Sequence, residues 1–149
     1  MKYIFGGVAL VTIALAFFLA SPGPVQAQKK GQKSGILELT GVFKVHGCLS
    51  RHDMKDRSLG VGCNIYSFKM TAATTYQIDM VRTGVNFMDP YLRIEDDNGK
   101  ELARDDDSGG NLNARIIFAC PANGTFHIIA TALGPPQGAA TYTLTVQKK

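Results

Sequence analysis

Apolar and polar residues alternate along most of the chain after Gly35, and this pattern constrains the fold more than any other feature of the sequence. A period of two residues places alternate side chains on opposite faces of a β-strand. No window after Gly35 shows the period of about 3.6 residues that a surface helix needs. The alternation predicts about eight strands, near residues 36–45, 64–70, 75–81, 90–95, 101–104, 114–119, 125–131 and 140–146.

Each predicted strand has one apolar face and one polar face, as in antiparallel sheets that cover a core on one side only. Turn residues such as Asp97-Asn98-Gly99 and Asn123-Gly124 separate the strands, which is typical of a sandwich. We therefore predict an all-β fold, an antiparallel β-sandwich of the jelly-roll kind. The side chains expected to point inward are Tyr66, Phe68, Met70, Tyr76, Ile78, Met80, Leu92, Ile94, Ile116, Phe118, Phe126, Ile128, Ala130, Tyr142, Leu144 and Val146. The side chains expected to point outward into solvent include Gln77, Asp79, Arg93, Thr143 and Thr145.

The N-terminus has the order of a secretory signal peptide over residues 1–27, with Lys2, an apolar run and a small residue at Ala27. The apolar run is shorter than the roughly 20 residues of a membrane-spanning helix. We therefore expect cleavage after Ala27, no transmembrane anchor in the mature chain, and a secreted or periplasmic protein. Residues 28–35 carry three lysines and no large apolar side chain, which predicts a flexible basic leader. Residues 36–147 then form a single domain.

The net charge of +4 does not by itself favour nucleic acid, because no basic and aromatic residues alternate along the chain and an exported protein does not meet it. The expected partner is an unidentified polymer or protein of the cell envelope.

Three cysteines require a pairing argument in an oxidising compartment. Cys48 and Cys63 flank a polar segment without periodicity, so we predict a disulfide between them across a loop. Cys120 shares a strand face with apolar residues and is expected to be a buried, unreactive thiol. A zinc site from His46, Cys48, His52 and Cys63 is the alternative, although this spacing matches no standard finger.

Acidic residues are concentrated between Asp89 and Asp107, where eight of the 12 Asp and Glu residues occur. Ca²⁺ is bound by carboxylate, amide and carbonyl oxygens, which this segment and the loop after it supply. The twelfth position of an EF-hand that begins at Asp105 would be Ile116 instead of Glu, so the segment is not an EF-hand. The alternative is a set of solvated turns. The candidate calcium ligands are Asp89, Asp105, Asp106, Asp107, Asn111 and Asn113.

The sequence contains neither a nucleophile elbow nor a metalloprotease or phosphate-binding motif, so we predict that the protein is not an enzyme. Two alternatives stay open. The first is a small secreted hydrolase that uses the acidic cluster. The second is an inhibitor or structural partner of a secreted enzyme encoded elsewhere.

The order of several short segments resembles the bacterial pre-peptidase C-terminal (PPC) domain, which is similar to the collagen-binding modules of collagenases. The resemblance implies a jelly-roll-like sandwich that is non-catalytic, sometimes stabilised by calcium, and found in secreted or periplasmic proteins. The chain departs from this pattern in having no peptidase domain and in the insertion between Cys48 and Cys63. The segments that carry the resemblance are Tyr66-Ser67-Phe68, Thr75-Tyr76-Gln77-Ile78, Asp89-Pro90-Tyr91-Leu92, Asn98-Gly99, Asp106-Asp107, Gly124-Thr125-Phe126 and Tyr142-Thr143-Leu144-Thr145-Val146.

Overall fold

The computed structural model describes residues 32–149, which contain β-strands and loops but no helix. The predicted signal peptide and residues 28–31 of the predicted leader lie outside the described residues. Within the described range, no segment forms an apolar helix long enough to span a bilayer. The nine strands are β1 (Gln32–Glu38), β2 (Phe43–Leu49), β3 (Asn64–Met70), β4 (Thr75–Thr83), β5 (Pro90–Asp96), β6 (Glu101–Asp105), β7 (Ala114–Ala119), β8 (Gly124–Ala132) and β9 (Ala140–Lys148).

The strands form two sheets that pack face to face. The larger sheet has five strands in the order β1-β3-β8-β5-β6, and the smaller sheet has four in the order β2-β9-β4-β7. All neighbouring strands are antiparallel except β1 and β3, which are parallel. The predicted all-β sandwich is therefore confirmed.

The core fills the space between the sheets, and every side chain predicted to point inward is buried there. Contacts between aromatic rings join the sheets across this space. Phe118 of β7 and Phe126 of β8, for example, meet edge to face with ring centroids 5.4 Å apart. The sequence predicted the inward-facing residues of these strands correctly because each sheet buries only one of its faces.

The prediction of a single strand over residues 36–45 is wrong, because the chain leaves the larger sheet after β1 and enters the smaller sheet with β2. Leu37, Leu39, Phe43 and Val45 all pack against the core. These residues occupy odd positions on both sides of the crossing, so the alternation continues through it and does not reveal it.

The strand register places four loops at the same end of the sandwich, which we call the loop end. They are residues 50–63, 84–89, 106–113 and 133–139. The pairs that fix this arrangement in the larger sheet are Asn64 with Ala130, Pro90 with Ala132 and Leu92 with Asp105. In the smaller sheet they are Leu49 with Ala140 and Thr83 with Thr141.

Candidate functional site

Residues 50–62, here called the strap, connect the two sheets and lie against the outer face of the larger sheet. The backbone amide of Cys63 donates to the carbonyl of Met54 at 2.8 Å. The hydroxyl of Thr131 donates to the carbonyl of Gly62 at 2.9 Å. The strap is therefore fixed to the sheet at its C-terminal half. It also covers side chains that a free sheet face would expose to water.

Arg93 is the main side chain under the strap, with only 2% of its side chain exposed. Its guanidinium donates to both carboxylate oxygens of Asp56, at 3.0 and 2.6 Å, and to Glu95 at 3.1 Å. Burial alone lowers the pKa of Arg93, but the hydrogen bond and charge of Asp56, with the nearby glutamates, outweigh this effect and raise it. The prediction that Arg93 points outward is correct, but the prediction that solvent surrounds it is wrong.

A groove of about 440 Å³ lies between the strap and the turn that joins β5 to β6. In this groove the hydroxyl of Ser67 lies 2.8 Å from Nδ1 of His127, and Nε2 of His127 lies 3.3 Å from Asp97. The same three residue types form hydrolase triads. Here, however, Ser67 and His127 are direct partners in the β3–β8 register. Asp97 is 77% exposed, so its carboxylate orients the imidazole poorly. We therefore assign this set to strand pairing.

The predicted calcium ligands occupy the loop end, and the structure brings three of them near one another. Oδ1 of Asp89 is buried and accepts no hydrogen bond from the described residues. Burial raises the pKa of Asp89, the negative charges of Asp107 and Asp106 raise it further, and Arg82 opposes the change. Arg82 therefore offsets only part of the negative charge around Asp89.

Two of the remaining candidate ligands, Asp105 and Asn113, already form hydrogen bonds with other residues of the protein. Asp105 accepts hydrogen bonds from the backbone amides of Ser108 and Arg115, at 3.0 and 2.7 Å. Asn113 accepts from the amide of Arg82 at 3.0 Å and donates to Gly110 at 2.8 Å. Asn111 is exposed and has a φ of 54°. Over residues 32–149, no three His, Cys, Asp or Glu side chains come close enough to hold a metal ion together.

The three cysteines are free thiols in the structure, so the predicted Cys48–Cys63 disulfide is not formed in it. Cys48 lies on β2 opposite the exposed Thr141, on the outer face of the smaller sheet with His46. Cys63 lines the groove on the outer face of the larger sheet. The two thiols therefore point to opposite sides of the sandwich. The same arrangement separates His46 and Cys48 from Cys63, so the alternative zinc ligands do not converge.

The third thiol is buried, as its strand phase predicts, and burial raises the pKa of Cys120. Its Sγ donates to the carbonyl of Ala122 at 3.1 Å. Burial, followed by the charge of Asp56, also raises the pKa of Cys63 to about 11. Both thiols are therefore protonated and unreactive near neutral pH.

Solved structures share this arrangement of sheets. A pre-peptidase C-terminal domain of collagenase from Bacillus anthracis superposes with a TM-score of 0.56 and 15% identity, over 80% of this chain and 97% of that domain. The chain has the fold of a PPC domain. At this identity the likeness concerns the fold alone.

Two further structures with the PPC-like fold are named for what they bind. PliG of Aeromonas hydrophila, a periplasmic inhibitor of g-type lysozyme, has a TM-score of 0.52 and 12% identity, over 79% of this chain and 99% of that chain. CorA of Methylomicrobium album BG8, a surface-associated copper-binding protein, has a TM-score of 0.50 and 11% identity, over 78% and 98% of the two chains. No sequence profile of a known family matches the chain, and no curated protein matches it significantly.

Proposed function

We propose that this protein is an exported, non-catalytic binding or accessory module of the cell envelope. The observation that carries the proposal is the fold shared with a collagenase PPC domain, a periplasmic lysozyme inhibitor and a surface-associated copper-binding protein. Nearly the full length of each of these chains is covered, so the shared unit is the whole sandwich. The partner is a polymer or a protein of the envelope.

The loop end supports a binding role because it presents apolar side chains on loops that are held together. Val85, Phe87 and Leu133 are 99%, 49% and 44% exposed. The amide of Gln137 donates to the carbonyl of Phe87 at 3.2 Å, and the side chain of Asn86 donates to the carbonyl of Ala139 at 2.8 Å. Loops fixed in this way lose little entropy when a partner binds.

Inhibition of a secreted hydrolase is the second candidate function, and the lysozyme inhibitor among the structural neighbours favours it. A hydrolase that uses the acidic cluster has less support. General acid catalysis needs a carboxyl group in an apolar pocket, whereas Asp107 is exposed and both Asp106 and Asp89 are only half-buried on surface loops.

The binding test uses the purified chain with insoluble peptidoglycan and, separately, with g-type lysozyme in a turbidity assay of cell-wall lysis. Sedimentation of the chain with peptidoglycan supports a polymer-binding module, whereas slower lysis supports an inhibitor. Chemically unfolded chain at the same concentration is the control for non-specific adsorption. Hydrolysis of peptidoglycan by the chain alone would reject a non-catalytic module.

Export has its own test in a bacterial host. The protein recovered from the periplasm should begin at Gln28, as N-terminal sequencing would show. The matched control is Leu10→Arg, which interrupts the apolar run of the proposed signal and should keep the chain in the cytoplasm. Recovery of both proteins from the cytoplasm with Met1 intact would reject export.

Calcium binding is a further part of the proposal. Asp89, Asp106 and Asp107 are the ligands that suit a hard cation, since a buried carboxylate oxygen without a hydrogen-bond donor lies near two like charges, and Ca²⁺ would have to draw the three closer together than they lie in the structure. Asp105 and Asn113 do not fit, because hydrogen bonds from the loop and the neighbouring strands already occupy them. A bound Ca²⁺ would neutralise the repulsion among the three carboxylates.

A further inference from the structure

A second pocket opens at the loop end, between the strap and the loop of residues 133–139, with a volume of about 470 Å³. Its lining combines aliphatic surface with two exposed cations and contains no acidic side chain. Such a pocket favours an occupant that carries both an apolar and an anionic side chain. The lining side chains are those of Arg51, Lys55, Leu59, Val61, Pro135 and Pro136.

The loop of residues 106–113 at the same end carries this combination of side chains. Asp106 and Asp107 form no side-chain hydrogen bond or ion pair with any residue that the structure describes. Leu112 is 40% exposed. Its φ of 59° and the φ of 54° at Asn111 lie in the left-handed region, which such residues rarely adopt. The loop therefore keeps an aliphatic side chain in water at a conformational cost.

The strand order separates this loop from the pocket. In the larger sheet the pocket lies at the end of β3 and β8, and the loop follows β6. From β3 to β6 there are three strand spacings in the order β3-β8-β5-β6, or about 14 Å. In the structure the loop therefore lies away from the pocket of its own chain.

The exposed side chains of Val85 and Leu133 belong to the loops next to β5 and β8, between the pocket and the acidic loop. Across the loop end, the two cations of the pocket therefore lie on one side, the side chains of Val85 and Leu133 lie in the centre, and the acidic loop lies on the other side. A two-fold rotation through that centre brings the acidic loop of each copy to the pocket of the other, which is the symmetry of an isologous dimer.

We propose that two copies of this chain associate through their loop ends. In this dimer the loop of residues 106–113 of each copy occupies the pocket beside Arg51 and Lys55 of the other. Asp107 pairs with Lys55, Leu112 contacts the aliphatic lining, and the two Val85 side chains meet near the axis. The inference goes beyond the proposed function, since neither export nor envelope binding requires a dimer. The dimer would compete with an envelope partner for the apolar side chains of the loop end, and with Ca²⁺ for Asp107.

Sedimentation velocity of the purified chain, from micromolar to millimolar concentration, tests the dimer. Asp107→Lys and Lys55→Glu should each weaken self-association by about tenfold or more, and the double variant should restore it, because the reversed charges attract again. Rescue by the double variant separates a direct contact from a local folding defect. Raised ionic strength should weaken the wild-type dimer as well.

A second pair of variants tests the apolar centre. Val85→Asp places a charge at the proposed axis and should abolish dimerisation. Val42→Asp is the matched control, because Val42 is 64% exposed but lies between β1 and β2 at the opposite end of the sandwich. Equal thermal midpoints of both variants would show that each is folded.

Two results would overturn the proposal. The first is a wild-type chain that stays monomeric at millimolar concentration. The second is a dimer that neither charge reversal nor Val85→Asp weakens. Either result leaves the export and peptidoglycan assays unaffected, so failure of the dimer is distinct from failure of the proposed function.

Discussion

The hydroxyl groups of Tyr66 and Tyr142 lie 2.8 Å apart between the two sheets, one from β3 and the other from β9. The side chain of Asn64 donates to the Tyr142 hydroxyl at 2.8 Å and to the carbonyl of Cys48 at 3.0 Å. Burial and the neighbouring Tyr66 raise the pKa of Tyr142, so its ring stays neutral. These hydrogen bonds form a polar link across an otherwise apolar core.

Tyr142→Phe should lower the free energy of unfolding by about 1 to 3 kcal/mol, because the half-buried Asn64 amide and the buried Tyr66 hydroxyl each lose a partner. Urea denaturation measures the change. Thr145→Ala on the outer face of the same strand is the matched control and should cost less than about 0.5 kcal/mol. Equal losses of unfolding free energy in the two variants would mean that the hydrogen bonds of the Tyr142 hydroxyl contribute nothing to stability.

Asp56→Ala should cost about 3 to 5 kcal/mol, since Arg93 would remain buried without its main counter-ion. The control is Arg57→Ala, which removes an ion pair to Glu95 from an arginine whose side chain is 70% exposed. That change should cost less than about 1 kcal/mol. Similar denaturation midpoints for the two variants would contradict the role assigned to the buried pair.

The raised pKa of Asp89 makes a prediction about pH. The folded protein holds the proton of Asp89 more tightly than the unfolded chain does. Protonation of Asp89 therefore contributes fully to the stability of the fold below the unfolded pKa near 3.9, and this contribution is lost as the pH rises through the folded pKa. In EDTA, where no Ca²⁺ relieves the repulsion, Asp89→Asn should therefore raise the melting temperature at neutral pH and have less effect in acid. Thermal scans of both proteins across that range measure the difference. A lower melting temperature for the substituted protein at neutral pH would contradict this assignment.

Calcium should raise the melting temperature if it binds beside Asp89. At millimolar Ca²⁺ and a dissociation constant of about 10⁻⁴ M, the gain is roughly 1.4 kcal/mol, or several degrees. Mg²⁺ should do less, because it gives up its water reluctantly. The measurement is unfolding in EDTA, Ca²⁺ and Mg²⁺ at matched ionic strength, with Asp106→Asn and Asp107→Asn as the site variants. Identical midpoints in all three solutions would leave the acidic loop as solvated turns.

The free thiols can be counted with a thiol reagent. The partly exposed Cys48 should react first in the folded protein, and Cys63 and Cys120 should react slowly because they are buried and protonated. Denaturation without a reductant should release all three. A count of one under that condition would instead show that one disulfide is present, and peptide mapping would then show whether it joins Cys48 and Cys63.

The alternation of side chains was sufficient to predict the core, because each strand buries one face and a one-residue error in phase would invert it. It was insufficient for the start of the sandwich. Gly47 and Cys48 resemble the start of a loop, yet both belong to β2. The ring of Tyr142 occupies the space above Gly47, where any β-carbon would overlap it. Such packing between residues distant in sequence leaves no local signal.

The position of the strap could not be predicted for a related reason. Arg93 between the apolar Leu92 and Ile94 indicates an outward side chain but not what covers it. The only sign of the covered ion pair in the sequence is the presence of two aspartates in the polar segment between Cys48 and Cys63. The candidate calcium ligands lie close together in the sequence, and this suggested a common site. Local hydrogen bonding instead uses Asp105 and Asn113 to shape their loop.

The position of β9 also determines the order in which the protein can fold. This last strand lies between β2 and β4, so the smaller sheet cannot close until residues 140–148 are available. Residues 50–139 separate β9 from β2, and such distant pairings fold slowly because a long loop must close first. Until then the apolar faces of β2 and β4 lack their central partner. Truncation within β9 should therefore yield an aggregating chain instead of a smaller sandwich.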